Sequence, residues 1–345
     1  MLELTKRLTE AFGVSGYEDE IRSVIREEIT GLVDEVRVDA LGNLVALRRG
    51  GASPRRRAGV AGQPGKRVML AAHMDQIGLM VTHIDEKGCL RFAPVGGVLG
   101  LACWGSQVRF ADGTVGTIGL DGGLNARDKM PILSSMYIDV GATERADVAL
   151  HVGDVAAFWH AFAGQGNTWF APSMDDRIGC AVLVQLLREL AGREIAHDVY
   201  AVFTTQEEVG TRGATTSAYT IDPDVAIALD VTPTGDAPHT NPALEVYLGR
   251  GVALKIMDKG MISHIGLNQL LIAAAEAEGV PYQREVLQLG STDARSMQMA
   301  RSGIPATALS VPSRHVHTPS QIVDRRDAEA AVALLVAFLE RPIAL

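Results

Sequence analysis

Three short runs of this chain are apolar at every position, a fourth nearly so, and each gives way at its C-terminal end to an acid or a histidine. Val68–Ala72 leads into His73 and Asp75, and Val199–Phe203 leads through Thr-Thr-Gln into Glu207 and Glu208. Val225–Leu229 stops at Asp230, and Ala306–Val311 is followed shortly by His317. A strand with no polar alternation is one whose two faces are both covered. After residue 170 the runs alternate with helical stretches at about Arg177–Leu190, Gly266–Ala277 and Ala328–Leu339. That rhythm is the signature of an α/β sheet with helices on its faces.

At 345 residues the chain is long for one compact domain, and two are expected. Between about 76 and 165 the texture changes to short β-like segments separated by glycine turns, around Gly88–Phe92, Gln107–Phe110, Asp112–Gly119 and Gly153–Trp159. Helical periodicity in that stretch is confined to the neighbourhood of 126–136. The expected division is an α/β domain over 1–75 and 165–345, interrupted by a small β domain over 76–164. At the N-terminus, Ser15-Gly-Tyr-Glu18 has the spacing of a capping box opening a helix through about Ile29. Gly42-Asn43 separates two alternating runs as a hairpin turn would. The Gly/Pro-rich stretch 50–66, with Arg55-Arg56-Arg57, reads as a solvated loop.

Several function classes drop out. The net charge of −9 is spread along the chain, which disfavours nucleic acid as a partner. Cys89, Cys103 and Cys180 are too few and too scattered for a disulfide framework or a zinc knuckle, and suit reduced thiols in the cytoplasm. The longest apolar run, Ala330–Leu339, is too short to span a membrane, and the opening residues lack a secretory apolar core. No nucleotide-binding glycine motif and no Gly-x-Ser-x-Gly elbow occur.

What remains is the acids and histidines at the strand ends. Ligands of open α/β sheets bind beyond the carboxyl ends of the strands, so His73, Glu207, Glu208, Asp230 and His317 should meet at one edge. Asp175-Asp176, one step before a helix, should join them. Singly each has an ordinary explanation, as a turn former, a helix cap or a solvated histidine. Burying adjacent carboxylates together without a partner is costly, and a pair of divalent cations removes that penalty. Asp175, Glu208 and Asp230 bring three negative charges, His73 and His317 come neutral, and one hydroxide balances the rest. Adjacent residues on extended chain point to opposite sides. One of Glu207 and Glu208 can therefore ligate while the other handles a proton. Carboxylate-plus-imidazole shells suit Zn²⁺, Co²⁺ or Mn²⁺. The other histidines, His83, His151, His160, His197, His239 and His264, have no such pattern, and His315 is at most a pocket residue.

The stretches Ala72–Gly78, Met174–Gly179, Gln206–Ala214, Ala228–Val231 and Arg314–Pro319, with Gly290–Ala294 and Gly249–Gly251, resemble the glutamyl/tetrahedral aminopeptidase family of dinuclear metallopeptidases. The resemblance covers nearly the whole chain. It implies a three-layer, mixed-sheet, zinc-peptidase-like α/β domain with an inserted small β-barrel. Asp175 would bridge the two metals, His73 and Asp230 would complete one shell, and Glu208 and His317 the other. Glu207 would be the general base and acid, and Asp75 would orient His73. A cis peptide is implied at Asp175–Asp176. The implied activity is removal of N-terminal residues from short peptides, by dimers that assemble through the barrel into a hollow tetrahedral dodecamer. Alternatives are an N-acyl amino-acid deacylase or carboxypeptidase on the same metals, an endoglucanase (a label some members have carried) and a non-catalytic peptide-binding shell. The endoglucanase reading leaves the two histidines without a role. Side-chain specificity would come from loops such as 233–243 and 288–293.

Overall fold

The four apolar runs are four adjacent parallel strands. In the computed structural model, which describes residues 1–51, 65–123, 130–238 and 244–345, they are Asp198–Thr204, Arg67–His73, Val225–Pro233 and Ala306–Arg314, in that spatial order. Their register sets Thr204 beside His73 and Asp230 beside Ser310, so all four C-terminal ends open on one edge. Further strands extend them to a mixed sheet of eleven. The hairpin Glu35–Val38 and Leu44–Arg48 continues it on one side. On the other lie Gln321–Asp324, Thr168–Ala171 and Ala163–Gln165, and separately Val252–Met257 with Tyr282–Val286.

Successive side chains on a strand face opposite ways, and here both directions lead into a core. Val68, Leu70 and Ala72 pack with the helices Met174–Leu190 and Arg325–Leu339. Met69 and Ala71 pack with the helices Arg212–Ile221 and Asp293–Gln298. Helices therefore cover both faces, giving the expected three layers. The helix Met174–Leu190 lies between sheet and outer helices and is buried almost throughout, as an all-round apolar helix must be.

The glycine-punctuated stretch forms a closed six-stranded antiparallel barrel. Its strands run around the barrel as Gly78–Ile84, Leu90–Val95, Met136–Asp139, Val115–Leu120, Gln107–Phe110 and Val155–Phe158. Alternating residues such as Gly116, Ile118 and Leu120 point inward, to a core shared with Leu79, Val108, Phe110 and Ile138. Closure leaves no unpaired edge, which lets so short a set of strands stand as one unit.

Some local expectations change. The helix Asp19–Glu28 starts at Glu18 with no side-chain cap, so Ser15 and Glu18 do not form a capping box. Beyond the undescribed residues 124–129, the stretch read as helical near 126–136 contains a single 3₁₀ turn, Leu133–Ser135, followed by strand. Most of loop 50–66 with Arg55–Arg57, His239 and the end of loop 233–243 lie outside the described residues.

Candidate metal centre

Asp175 stands between two imidazoles. Its Oδ1 is 3.0 Å from His73 Nε2 and its Oδ2 is 3.3 Å from His317 Nε2. Each histidine has a second carboxylate of its own. Asp230 Oδ1 lies 3.9 Å from His73 Nε2, and Glu208 Oε2 lies 3.4 Å from His317 Nε2. The five residues thus form two half-sites that share Asp175. Donor atoms of His73, Asp175 and Glu208 fall within 4.8 Å of one another. Glu207 lies with Asp175, Glu208, Asp230 and His317 on the wall of a cavity of about 800 Å³, which the buried His73 does not line. Pro233, Thr234 and residues 288–292 also line that cavity, so both loops expected to shape a pocket reach it. His315 does not line it, while its neighbour His317 does.

The electrostatics of so dense a group are visible in its proton affinities. Burial, reinforced by the charge of Asp175, pushes Glu208 up to about 8 and Asp230 up to about 7. Burial also drives Glu207 well above the usual carboxylate range. Burial alone would lower the two histidines. Bonds to Asp175 and Asp75 instead hold His73 well above its ordinary value, and Asp175 and Glu208 hold His317 at about 9. Burial likewise opposes ionisation of Asp175, yet the two imidazoles keep it below the usual range. Protons on the imidazoles, with the buried Lys255 ammonium acting on Asp230, are thus positive charge that the protein itself offers to these acids. Glu208 Oε1 is buried and has no hydrogen-bond partner among the described residues. A buried oxygen in that state is unusual and requires an explanation. Two imidazole nitrogens and three carboxylates, one of them carrying this unpartnered oxygen, fit divalent cations of the zinc, cobalt or manganese type.

A surrounding layer fixes these side chains. The backbone carbonyl of Asp75 is 3.1 Å from His73 Nδ1, closer than its carboxylate Oδ1 at 3.5 Å. The Asp75 carboxylate mainly serves other groups: it accepts the amides of Glu207 and Glu208 at 2.9 and 3.1 Å and the Ser15 hydroxyl at 2.6 Å. The Asp175–Asp176 peptide is cis. Asp176 accepts from the His73 amide at 3.3 Å, and the Asp175 amide donates to Gln321 Oε1 at 2.7 Å. Cys180, a core residue by its sequence pattern, also donates its thiol to the His73 carbonyl at 3.2 Å.

The barrel contributes as well. The carbonyl of Gly97, just past its strand Leu90–Val95, faces His317 Nδ1 at 3.1 Å. With its Nδ1–H turned to that oxygen, the imidazole presents Nε2 to the acids, the arrangement that metal-binding histidines adopt. Residue 97 must be glycine for this approach, since a Cβ there would sit 2.5 Å from Nδ1.

Ser15, Gln321 and Gly97 are absent from the sequence-based site, and Asp176 entered it only beside Asp175, with no role of its own. Only Ser15 carried a signal, and its spacing pointed to a helix cap. Two of the histidines read as ordinary have ordinary partners: His197 accepts from the Lys66 amide and meets the Arg341 carbonyl, and His264 caps the helix Ile265–Glu278. The Gly249 and Gly251 amides both donate to Asp327 at 2.7 Å, a structural use of that motif.

Residues 57–334 match the family model for M42 glutamyl aminopeptidases. The lysyl aminopeptidase of Pyrococcus furiosus is 35% identical over 352 residues, covering 98% of this chain and 96% of that one. Among solved structures, an aminopeptidase from the archaeon Desulfurococcus kamchatkensis superposes with a TM-score of 0.91 at 38% identity, covering 98% of this chain and 94% of that one. The TET1 peptidase of Pyrococcus horikoshii, described as able to assemble into a tetrahedron or a large octahedral shell, gives 0.85 at 30% identity with 98% of both chains covered.

Proposed function

The chain belongs to the M42 glutamyl aminopeptidase family, and on that premise we propose a metal-dependent enzyme that removes N-terminal residues from short peptides. Two divalent ions, Zn²⁺, Co²⁺ or Mn²⁺, would be shared by Asp175. His73 and Asp230 would complete one site, and Glu208 and His317 the other. The observation that carries this reading is the split of the cluster about Asp175, whose two oxygens each meet a different imidazole with its own second carboxylate.

Divalent ions held by these residues would polarise a scissile carbonyl and acidify a water molecule. The rest is the work of the chain's own groups. Glu207, half-buried on the cavity wall and with an affinity for a proton raised by desolvation, takes the proton of the attacking water and returns it to the leaving amine. Asp75 holds the backbone of that residue by its amide. Carboxylates around the cavity favour a substrate that arrives with a free, charged α-amine, which restricts cleavage to the first residue.

The test is an assay on aminoacyl anilides after reconstitution with each metal, beside the matching N-acylated compounds. Hydrolysis of the free-amine substrates that a chelator abolishes is the expected result. Preference for the N-acylated set would favour a deacylase, and turnover undiminished by chelator would sink the metal-dependent reading.

We assign residues 76–164 to an inserted oligomerisation domain and 1–75 with 165–345 to the catalytic one. Copies of this chain should pair through the barrel and build a closed tetrahedral dodecamer, by analogy with the P. horikoshii peptidase. Size-exclusion chromatography with light scattering should give a mass many times that of one chain; a monomer would refute the assembly. No helix among the described residues is long and apolar enough to cross a membrane. Separately, the three scattered cysteines suit a reducing compartment, and on that ground we propose the cytoplasm as the site of action.

A further inference from the structure

Between the first two helices, Leu2–Glu10 and Asp19–Glu28, runs a short segment that touches both loops carrying the acids. The Ser15 amide donates to the Gln76 carbonyl at 3.3 Å, and the Gln76 amide donates to the Gly13 carbonyl at 3.0 Å. Glu18 Oε1 accepts the Gln206 amide at 3.2 Å. The segment is itself anchored by Arg177, two places after Asp175. That fully buried guanidinium donates to the carbonyls of Leu8, Ala11 and Gly13. Residues 13–18 therefore bridge the loop after Arg67–His73 and the loop after Asp198–Thr204.

The Ser15 hydroxyl is the contact that matters most here. It donates at 2.6 Å to Asp75 Oδ2, the same oxygen that accepts the Glu208 amide, while Oδ1 accepts the Glu207 amide. Ser15 and Asp75 are both buried, at 6% and 0% exposure. A carboxylate has about four acceptor positions and a soft terminal torsion. Two donors from one peptide turn leave it free to swing with that turn; a third, the Ser15 hydroxyl from a separate segment, fixes its rotation. We propose that Ser15 is a positioning residue for Glu207 and Glu208, acting through Asp75 to hold their backbone in the orientation the reaction needs. The proposal rests on the reading of Glu207 as proton carrier and Glu208 as ligand. Misplacement by about 1 Å at such a site can cost about 100-fold in rate, so a hydroxyl outside the cavity can matter to turnover.

The experiment is hydrogen exchange on peptides spanning 204–211, with steady-state kinetics, for the wild type and Ser15→Ala. The Glu207 and Glu208 amides should exchange about tenfold faster in the variant while the barrel and distant helices keep their protection. The rate constant kcat should fall about tenfold with KM and metal content unchanged, the size expected when a supporting hydrogen bond is lost. Unchanged exchange at 207 and 208, or faster exchange spread evenly over the chain, would overturn the proposal. Should the alanine variant fold poorly, Ser15→Cys, close in size but a weak donor, is to be measured in its place with the same criteria. Exchange is read without any substrate. A wild type that cleaves no peptide would therefore refute the aminopeptidase reading and still leave the Ser15 linkage decided.

Discussion

Glu207→Gln will bind its cations as the wild type does and turn over substrate about 100- to 10,000-fold more slowly, the usual share of a general base. Glutamine matches glutamate in shape, and the contact that fixes residue 207 is its backbone amide on Asp75 at 2.9 Å, which the substitution leaves intact. What changes is the ability to accept a proton. Burial raises the proton affinity of the native carboxylate well above that of a free glutamate, as suits a group that must take a proton from water near neutral pH and give it up again. Its neighbour Glu208 lies 3.4 Å from His317 Nε2, inside the cluster, so the two adjacent acids have separable duties. Metal content by elemental analysis, with kcat on a free-amine anilide, checks the expectation. Full activity refutes the base assignment. Loss of activity together with a cation would move Glu207 into the ligand set.

The sheet centre was the most legible part of the sequence, because a strand covered on both faces must be apolar at every position and few other structures require that. The acids after those runs were legible for the same reason: carboxylates at the end of buried chain need a partner. The inserted barrel was legible as a region, through its glycines, and less so strand by strand. Met136–Asp139 has only four residues, too few to show a period. Helix Arg212–Ile221 is written Arg-Gly-Ala-Thr-Thr-Ser-Ala-Tyr-Thr-Ile, and its hydroxyl side chains compete for backbone groups and weaken a helical signature. Ser15 and Glu18 show the opposite failure. Their spacing met a local rule, yet the partners they took, Asp75 and the Gln206 amide, are remote in sequence. Gly97 could not be found at all, since its role depends on the barrel meeting His317 across 220 positions of chain.

Asp175→Ala removes the one residue that both half-sites share, and its effect should exceed that of losing any other ligand. Deleting Asp230 would take a carboxylate from the half around His73, and deleting Glu208 would take one from the half around His317. Deleting Asp175 strips Oδ1 from the first and Oδ2 from the second. Each half would keep one imidazole and one carboxylate, a set that holds a zinc-like ion far less well than three or four protein ligands do. The expected result is a variant that retains neither cation after dialysis and shows no measurable peptidase activity at any added metal concentration short of millimolar. Asp176→Asn is the companion control. Asp176 is fully buried and accepts the His73 amide on Oδ2 and the Gly179 amide on Oδ1; asparagine keeps one of these acceptors and turns an NH2 toward the other amide, so this variant should be less stable yet keep both cations. A structural collapse would lower the melting temperature of the metal-free protein, whereas loss of a bridge lowers only the increment that added metal brings. Asp175→Ala protein that still carries two ions per chain would show that the carboxylate does not bridge, and the pairing of His73 with Asp230 and His317 with Glu208 would have to be redrawn.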